Sequence, residues 1–209
     1  MSKAVMISIR PKWCEKIARG EKTIEVRKTR PKLETPFKCY IYCTKAKERL
    51  IGILKDGDEN YGEIYHGKSV FIKVDEGSVC DMWGKRQKVI GEFTCSKIEL
   101  VVRGTSGKYA GRLFVKVPDP DGGIRFSGYK EIKAYEKQMC LSESEIVGYL
   151  SHSEPRGRGG YLWHISGLKI YDTPRELGEF TGLQNTRFGA APYEIKRAPQ
   201  SWRYVEEQK

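Results

Sequence analysis

Long apolar runs are missing from this sequence of 209 residues. No stretch approaches the roughly 20 apolar residues of a membrane helix, and the N-terminus lacks the apolar segment of a signal peptide. The hydrophobic content is 39% and the charged content is 31%, as is typical of soluble globular proteins. We therefore expect a cytoplasmic protein with no membrane partner.

Metal-binding patterns are also missing. The six cysteines form no Cys-x-x-Cys pair, and the three histidines are scattered along the chain, which argues against a structural zinc site. We expect no metal and no cofactor. Cys39 and Cys43 fall on one face of a predicted strand beside Ile41, which indicates reduced thiols packed in a core.

Positive charge is in excess. The chain has 38 lysines and arginines against 27 acidic residues, a net charge of +11. Between Arg10 and Lys32 nine basic residues face only three glutamates. A clustered basic field attracts polyanions and speeds their encounter, and the alternative is a basic surface that maintains solubility. A Gly-rich loop at 153–160 adds two arginines, either as a phosphate grip or as a plain connector.

Strand patterns outnumber helix patterns. Strands are predicted at 5–9, 22–28, 38–44, 69–74 and 88–102, with a further one at 161–171. Pro11 opens a short helix that Gly20 closes. Capping boxes beginning at Ser142 and Thr173 predict helices over 143–150 and through Phe180. This mixture predicts an α+β, mainly β fold with short flanking helices.

The most informative string is Gly-x-Lys-x-x-Glu-x-Arg at 20–27. A glycine at the end of a helix supplies the left-handed turn into the next strand. In that strand Glu25 and Arg27 share one face while Ile24 and Val26 share the other. With Lys22 at the strand entrance, the pattern indicates a polar site. A solvated edge strand with alternating charge is the alternative.

This string resembles the signature of the ASCH domain family, which belongs to the PUA-like group of small β-barrels. Segments 6–13, 40–44, 163–171 and 199–202 look like the same family. The resemblance implies a single PUA-like β-barrel domain over residues 1–209. It is thin between about 103 and 140, and we expect an inserted segment at about 103–150.

The resemblance also implies a ligand cleft between the first helix, the signature strand and the last strands. The residues expected to line it are Arg10, Lys12, Trp13, Lys22, Glu25, Arg27, Thr44, Lys45, Trp163 and His164. Aromatic faces stack on bases, while a carboxylate and a guanidinium read base edges and phosphate. The expected partner is therefore RNA or a modified nucleotide. A core role is the alternative for the tryptophans.

Family members span RNA binding, putative ribonuclease activity and amide hydrolysis on an acetylated cytidine. The resemblance therefore leaves open a hydrolase acting on RNA or on an acylated nucleoside, with Lys22 and Glu25 as catalytic candidates. In the amidohydrolase branch a lysine, a threonine and a distant glutamate cooperate. Lys22 matches the lysine, but Glu25 stands where the threonine would be, which removes the expected hydroxyl nucleophile. An interaction protein that docks an acidic partner is a third possibility.

Overall fold

The computed structural model describes residues 2–45, 49–55, 69–74, 87–118, 126–151, 159–187 and 189–208. Its chain forms two compact units. The first unit consists of Met1–Ala18, Tyr40–Glu92 and Lys169–Lys209. The second consists of Arg19–Cys39 and Phe93–Leu168.

Strands dominate both units. In the described residues the strands are β1 (Lys3–Ile9), β2 (Ile24–Arg27), β3 (Phe37–Cys43), β4 (Arg49–Lys55), β5 (Ser69–Val74), β6 (Val89–Arg103), β7 (Leu113–Pro118), β8 (Phe126–Glu131), β9 (Gly160–Arg175), β10 (Thr181–Thr186), β11 (Gly189–Glu194) and β12 (Trp202–Glu206). The α-helices are α1 (Pro11–Ala18), α2 (Glu136–Met139) and α3 (Glu143–Ser151). The predicted mainly β fold with short helices is confirmed.

The first unit is built on the strand order β11-β10-β12-β1-β3. Antiparallel pairing places Val5 opposite Tyr204 on β12. The core beneath these strands is formed by Ala4, Met6, Tyr40, Tyr42, Val89, Phe180, Ile195 and Val205. β4 and β5 pair in parallel as a separate two-stranded sheet. β1 and β3 are buried along nearly their whole length, so both of their faces are covered.

The second unit contains the strand order β6-β7-β8, and β9 joins β2 to β6. Its core is formed by Ile24, Val26, Val101, Leu113, Val115, Ile132, Met139, Ile146, Leu150 and Leu162. These residues come from the strands and from the segments around α2 and α3. The second unit thus has an apolar core of its own, with β2 as one of its walls.

The predicted local structure agrees with the structure at most elements. Gly20 has a φ of +72°, and α3 begins at Glu143 behind a capping box in which Ser142 Oγ accepts from the Glu145 amide at 3.3 Å. The helix predicted from Thr173 is wrong, because β9 continues to Arg175. A single 3₁₀ turn follows, with a capping box formed by Glu176 and Glu179. Most of the basic loop at 153–160 lies outside the described residues.

No helix among the described segments has the length and apolarity needed to cross a membrane.

Candidate functional site

The signature strand β2 is buried along its whole length. Glu25 and Arg27 are only 7% and 6% exposed, although both are ionisable residues. Burial on both faces excludes the solvated edge strand that the sequence left open. The polar face of β2 is therefore an interior polar cluster.

Lys22 is held by backbone carbonyls at the entrance of β2. Its ammonium donates to the carbonyl oxygen of Ile24 at 2.9 Å and to that of Met139 at 2.7 Å. It also lies 3.4 Å from Glu25 Oε2. Because the Met139 carbonyl belongs to the end of α2, Lys22 links the strand to that helix and fixes the position of the Glu25 carboxylate.

Glu25 and Arg27 form an ion pair along the strand. Arg27 Nε lies 3.0 Å from Glu25 Oε1. The two side chains lie two residues apart on the same face, as strand periodicity requires. Lys22, Glu25 and Arg27 together form one cluster, which we call the signature cluster.

β9 pairs with β2, and two predicted site residues, Trp163 and His164, lie on opposite faces of β9. Trp163 lies opposite Glu25, and His164 lies opposite Ile24. Successive residues of a strand point to opposite faces, so Trp163 shares the face of the signature cluster and His164 does not. Trp163 is fully buried and contacts the edge of Phe37, with ring centroids 5.9 Å apart.

His164 belongs to a second polar cluster that the sequence interpretation missed. Its Nε2 lies 2.6 Å from Glu99 Oε2, and Lys97 Nζ lies 2.6 Å from Glu99 Oε1. Tyr135 also hydrogen-bonds to Glu99. We call these four residues the Glu99 cluster. Glu99 could have indicated this cluster, because it lies within the long predicted strand at 88–102. A carboxylate that is buried in such a strand requires polar partners.

The charge state of Glu99 follows from its surroundings. Burial by itself raises the pKa of this carboxyl, but the hydrogen bonds from His164 and Lys97 outweigh burial and lower the pKa to about 2. Glu99 is therefore a carboxylate at neutral pH, and His164 donates its Nε2 hydrogen to it. In a neutral imidazole, donation from Nε2 places the lone pair on Nδ1.

The buried cysteines are poor nucleophiles. Burial raises the pKa of Cys39 well above its ordinary value and that of Cys95 to about 12. Both are free thiols, as are Cys14 and Cys43. A protonated buried thiol neither attacks nor binds metal readily. The expected packing of Cys39 and Cys43 in a core is thus confirmed.

The remaining predicted site residues lie in the first unit. Arg10, Lys12 and Lys45 are exposed, whereas Trp13 and Thr44 are half-buried. The Thr44 amide donates to the Ile9 carbonyl at 2.9 Å, which brings the ends of β1 and β3 together. Lys12 Nζ lies 4.7 Å from the Trp13 ring centroid. A ligand cleft built from all ten residues stays a prediction.

Comparisons with protein-family models and with curated proteins found no match. Among solved structures, an ASCH protein from Zymomonas mobilis covers 98% of this chain and 88% of its own, with 15% identity and a TM-score of 0.48. A mutant of the ASCH protein from the same organism covers 99% of this chain and 92% of its own, with 13% identity and a TM-score of 0.43. Both are described by the name of the family that the signature string resembles.

Proposed function

We propose that this chain binds RNA or a modified nucleotide at the signature cluster, with Glu25 and Arg27 as ligand contacts and Lys22 as their support. The observation that carries the proposal is the buried pair, in which Arg27 Nε lies 3.0 Å from Glu25 Oε1. Burying two charges carries a desolvation penalty of several kcal/mol per ion, and apolar residues of similar volume are often as stable or more so. Charges retained inside a strand therefore favour a functional role.

The two side chains offer complementary chemistry to a nucleotide. The Arg27 guanidinium presents a planar fork that can hold a phosphate or a base edge through two hydrogen bonds. The Glu25 carboxylate can accept from an exocyclic amino group of a base. The net charge of +11 supports a polyanionic partner, because it raises the rate of encounter. The family resemblance of the signature string supports the same class of ligand.

Arg27→Lys tests the proposal. Lysine keeps the charge but loses the fork, so we expect nucleotide binding to weaken by about 1–3 kcal/mol, the range for bidentate contacts to bases. Isothermal titration with single-stranded RNA and with nucleoside monophosphates measures the loss.

Arg30→Lys is the matched control, since Arg30 is an exposed arginine that follows the same strand. It should bind within about two-fold of wild type, because the substitution keeps the charge and Arg30 lies outside the signature cluster. Equal affinity for Arg27→Lys and wild type, with both proteins folded by circular dichroism, would make the Glu25–Arg27 pair structural and reject the proposal.

A hydrolase is the second candidate function, and the Glu99 cluster favours it. Glu99 holds Nε2 of His164 at 2.6 Å, while the His164 side chain is 25% exposed. A histidine oriented by a carboxylate can act as a general base through its other nitrogen. On RNA or an acylated nucleoside, Nδ1 would remove a proton from the attacking hydroxyl or water.

His164→Ala tests this candidate. For a hydrolase, the substitution should lower turnover by roughly 100- to 10,000-fold, the usual contribution of general acid–base catalysis. The assay follows products from labelled RNA and from acetylated cytidine, with Glu25→Gln as the comparison.

We expect no release of acetate from acetylated cytidine, because Glu25 stands where the resemblance requires a threonine. Wild-type protein that releases no product from either substrate would reject the hydrolase and leave the binding function.

A further inference from the structure

One face of the β6-β7-β8 sheet carries aromatic and basic side chains. The antiparallel register places Val102 opposite Phe114, Phe114 opposite Glu131, and Lys116 opposite Tyr129. These residues share a face, because directly paired residues and residues two apart point to the same side of a sheet. The other face, with Val101, Leu113 and Val115, packs into the core of the second unit.

A groove of about 650 Å³ lies over this face. Its floor includes Phe114, Lys116 and Tyr129, and its walls include Arg103 and Tyr109. A volume of that order lies within the usual range for ligand sites. The groove belongs entirely to the second unit and contains no residue of the signature cluster.

Phe114 contacts two tyrosine rings in the groove, Tyr109 and Tyr129. The Phe114 centroid is 5.6 Å from that of Tyr109 and 6.4 Å from that of Tyr129, both in edge-on geometry. Tyr129 is nevertheless 62% exposed and Tyr109 is 47% exposed. Single exposed aromatic residues need no explanation, but here two exposed tyrosines pack against a common phenylalanine, so exposed aromatic surface is concentrated in one groove.

The charges around these rings are mainly positive. Lys108 Nζ lies 5.2 Å from the Tyr109 ring centroid, and the Arg112 guanidinium lies 5.9 Å from that of Phe114. Glu131 is paired with Arg112 at 2.9 Å.

Arg103 lies at the rim of the groove, at the end of β6. It pairs with Leu113 of the core-facing side, so it does not share the face of Lys116 and Tyr129.

We propose that this groove binds single-stranded nucleic acid, with bases stacked on Tyr129 and Tyr109 and phosphates held by Lys116. The inference rests on the proposed function for the class of partner and adds a second contact surface to it. Exposed aromatic rings beside cations match a ligand that is both planar and anionic, and sheet faces with stacking aromatics are an established way to hold single strands. A protein partner would not require the exposed tyrosine rings.

Tyr129→Ala in the full chain tests the groove. The probe is a fluorescently labelled 12-nucleotide single-stranded RNA, and the measurement is fluorescence anisotropy at fixed salt. Loss of one stacked base should weaken binding by about 5- to 150-fold. Tyr129→Phe should restore it to within about two-fold, because the ring face is kept. Lys116→Gln should lower the slope of log affinity against log salt by about 0.7, the value for one phosphate on a single strand.

Tyr149→Ala is the matched control. Tyr149 is an exposed tyrosine of the same unit, with Lys28 Nζ 5.1 Å from its ring centroid, but it lies outside the groove. It should bind the RNA like wild type. An RNA carrying 5-iodouridine, cross-linked by light and mapped by mass spectrometry, should label Tyr129 or Tyr109.

The outcomes separate the groove from the signature cluster. The groove proposal would be rejected if Tyr129→Ala bound RNA with the affinity of wild type. It would also be rejected if the cross-links were confined to residues 20–31. Loss of affinity in Tyr129→Ala together with unchanged affinity in Arg27→Lys would support the groove and reject the signature cluster as the site. Wild-type protein that binds no RNA at low salt would overturn the groove, and wild-type protein that also binds no nucleoside monophosphate would overturn the signature cluster.

Discussion

Lys22 shows how one buried charge can connect a strand, a helix and a neighbouring carboxylate. Its ammonium donates to two carbonyls, at 2.9 and 2.7 Å, and lies near the Glu25 carboxylate. These contacts saturate most of the hydrogen-bonding capacity of a lysine, which has three donors. Arg27 lies on the same face as Glu25, and its planar guanidinium has five N–H donors. These contacts are the reason that the proposed function gives Lys22 a supporting role and places ligand contacts at Glu25 and Arg27.

Lys22→Met is expected to destabilise the fold. The substitution keeps much of the apolar stem but leaves buried carbonyls and the Glu25 carboxylate without this cation. Removing one partner of a buried charged pair costs about 3–5 kcal/mol, so the urea midpoint should fall steeply. Equilibrium urea unfolding, followed by tryptophan fluorescence, measures the change.

Lys137→Met is the control for Lys22→Met, since Lys137 is an exposed lysine of α2. Its free energy of unfolding should stay within about 0.5 kcal/mol of wild type, as is usual for surface substitutions. A Lys22→Met protein as stable as wild type, but unable to bind nucleotide, would return Lys22 to a direct role in recognition.

At the scale of elements, polar side chains connect strands that are distant in sequence. The bond between Glu99 and His164 joins β6 to β9 across 65 positions, and Lys22 joins the entrance of β2 to the end of α2. Backbone pairing between β2 and β9 aligns the same region. Charged contacts therefore fix the relative positions of β2, β6, β9 and α2 within the second unit.

The Glu99 contact should make stability depend on pH in a defined window. The pKa of Glu99 is lowered from 4.5 to about 2, so the folded state binds its proton less readily than the unfolded state. Its contribution to stability is complete above about pH 4.5 and is lost as the pH falls towards 2; it is on the order of 3 kcal/mol. Urea unfolding at pH 6 and at pH 2.5 should show the stability advantage of wild type over Glu99→Gln shrinking.

Glu194→Gln controls for the general effect of acid, because Glu194 is exposed. Its stability difference from wild type should be small at both values of pH. If the gap between wild type and Glu99→Gln is the same at pH 6 and pH 2.5, Glu99 has no lowered pKa in the folded protein, and its contacts with His164 and Lys97 do not stabilise the carboxylate.

At the scale of the whole molecule, the chain forms two compact units, each with its own apolar core. The ten residues predicted to line one cleft divide equally between the units, five in each. The signature cluster, the Glu99 cluster and the aromatic groove all lie in the second unit. With a net charge of +11 over the chain, long-range attraction supports a polyanionic partner for either proposed contact surface.

Local sequence patterns predicted most elements because the forces behind them are local. The predicted strand at 69–74 matches β5, and the capping box at Ser142 begins α3 at the expected residue. The helix predicted from the capping box at Thr173 is wrong, because two overlapping capping patterns occur there. The chain stays extended through Arg175, and the capping box that forms is that of Glu176 and Glu179. Strand pairing decided between them, and pairing is not a local property.

The sequence by itself determined the mainly β class, the glycine turn into β2 and the shared face of Glu25 and Arg27, since periodicity and turn chemistry act over a few residues. Only the tertiary structure decided that this face is buried and that the Lys22 ammonium donates to backbone carbonyls. It also decided that Trp163 and His164 point to opposite sides of β9. It alone paired His164 with Glu99 and assembled the aromatic groove. Burial and charge pairing depend on which distant segments meet, and that information lies in strand register rather than in any short stretch of sequence.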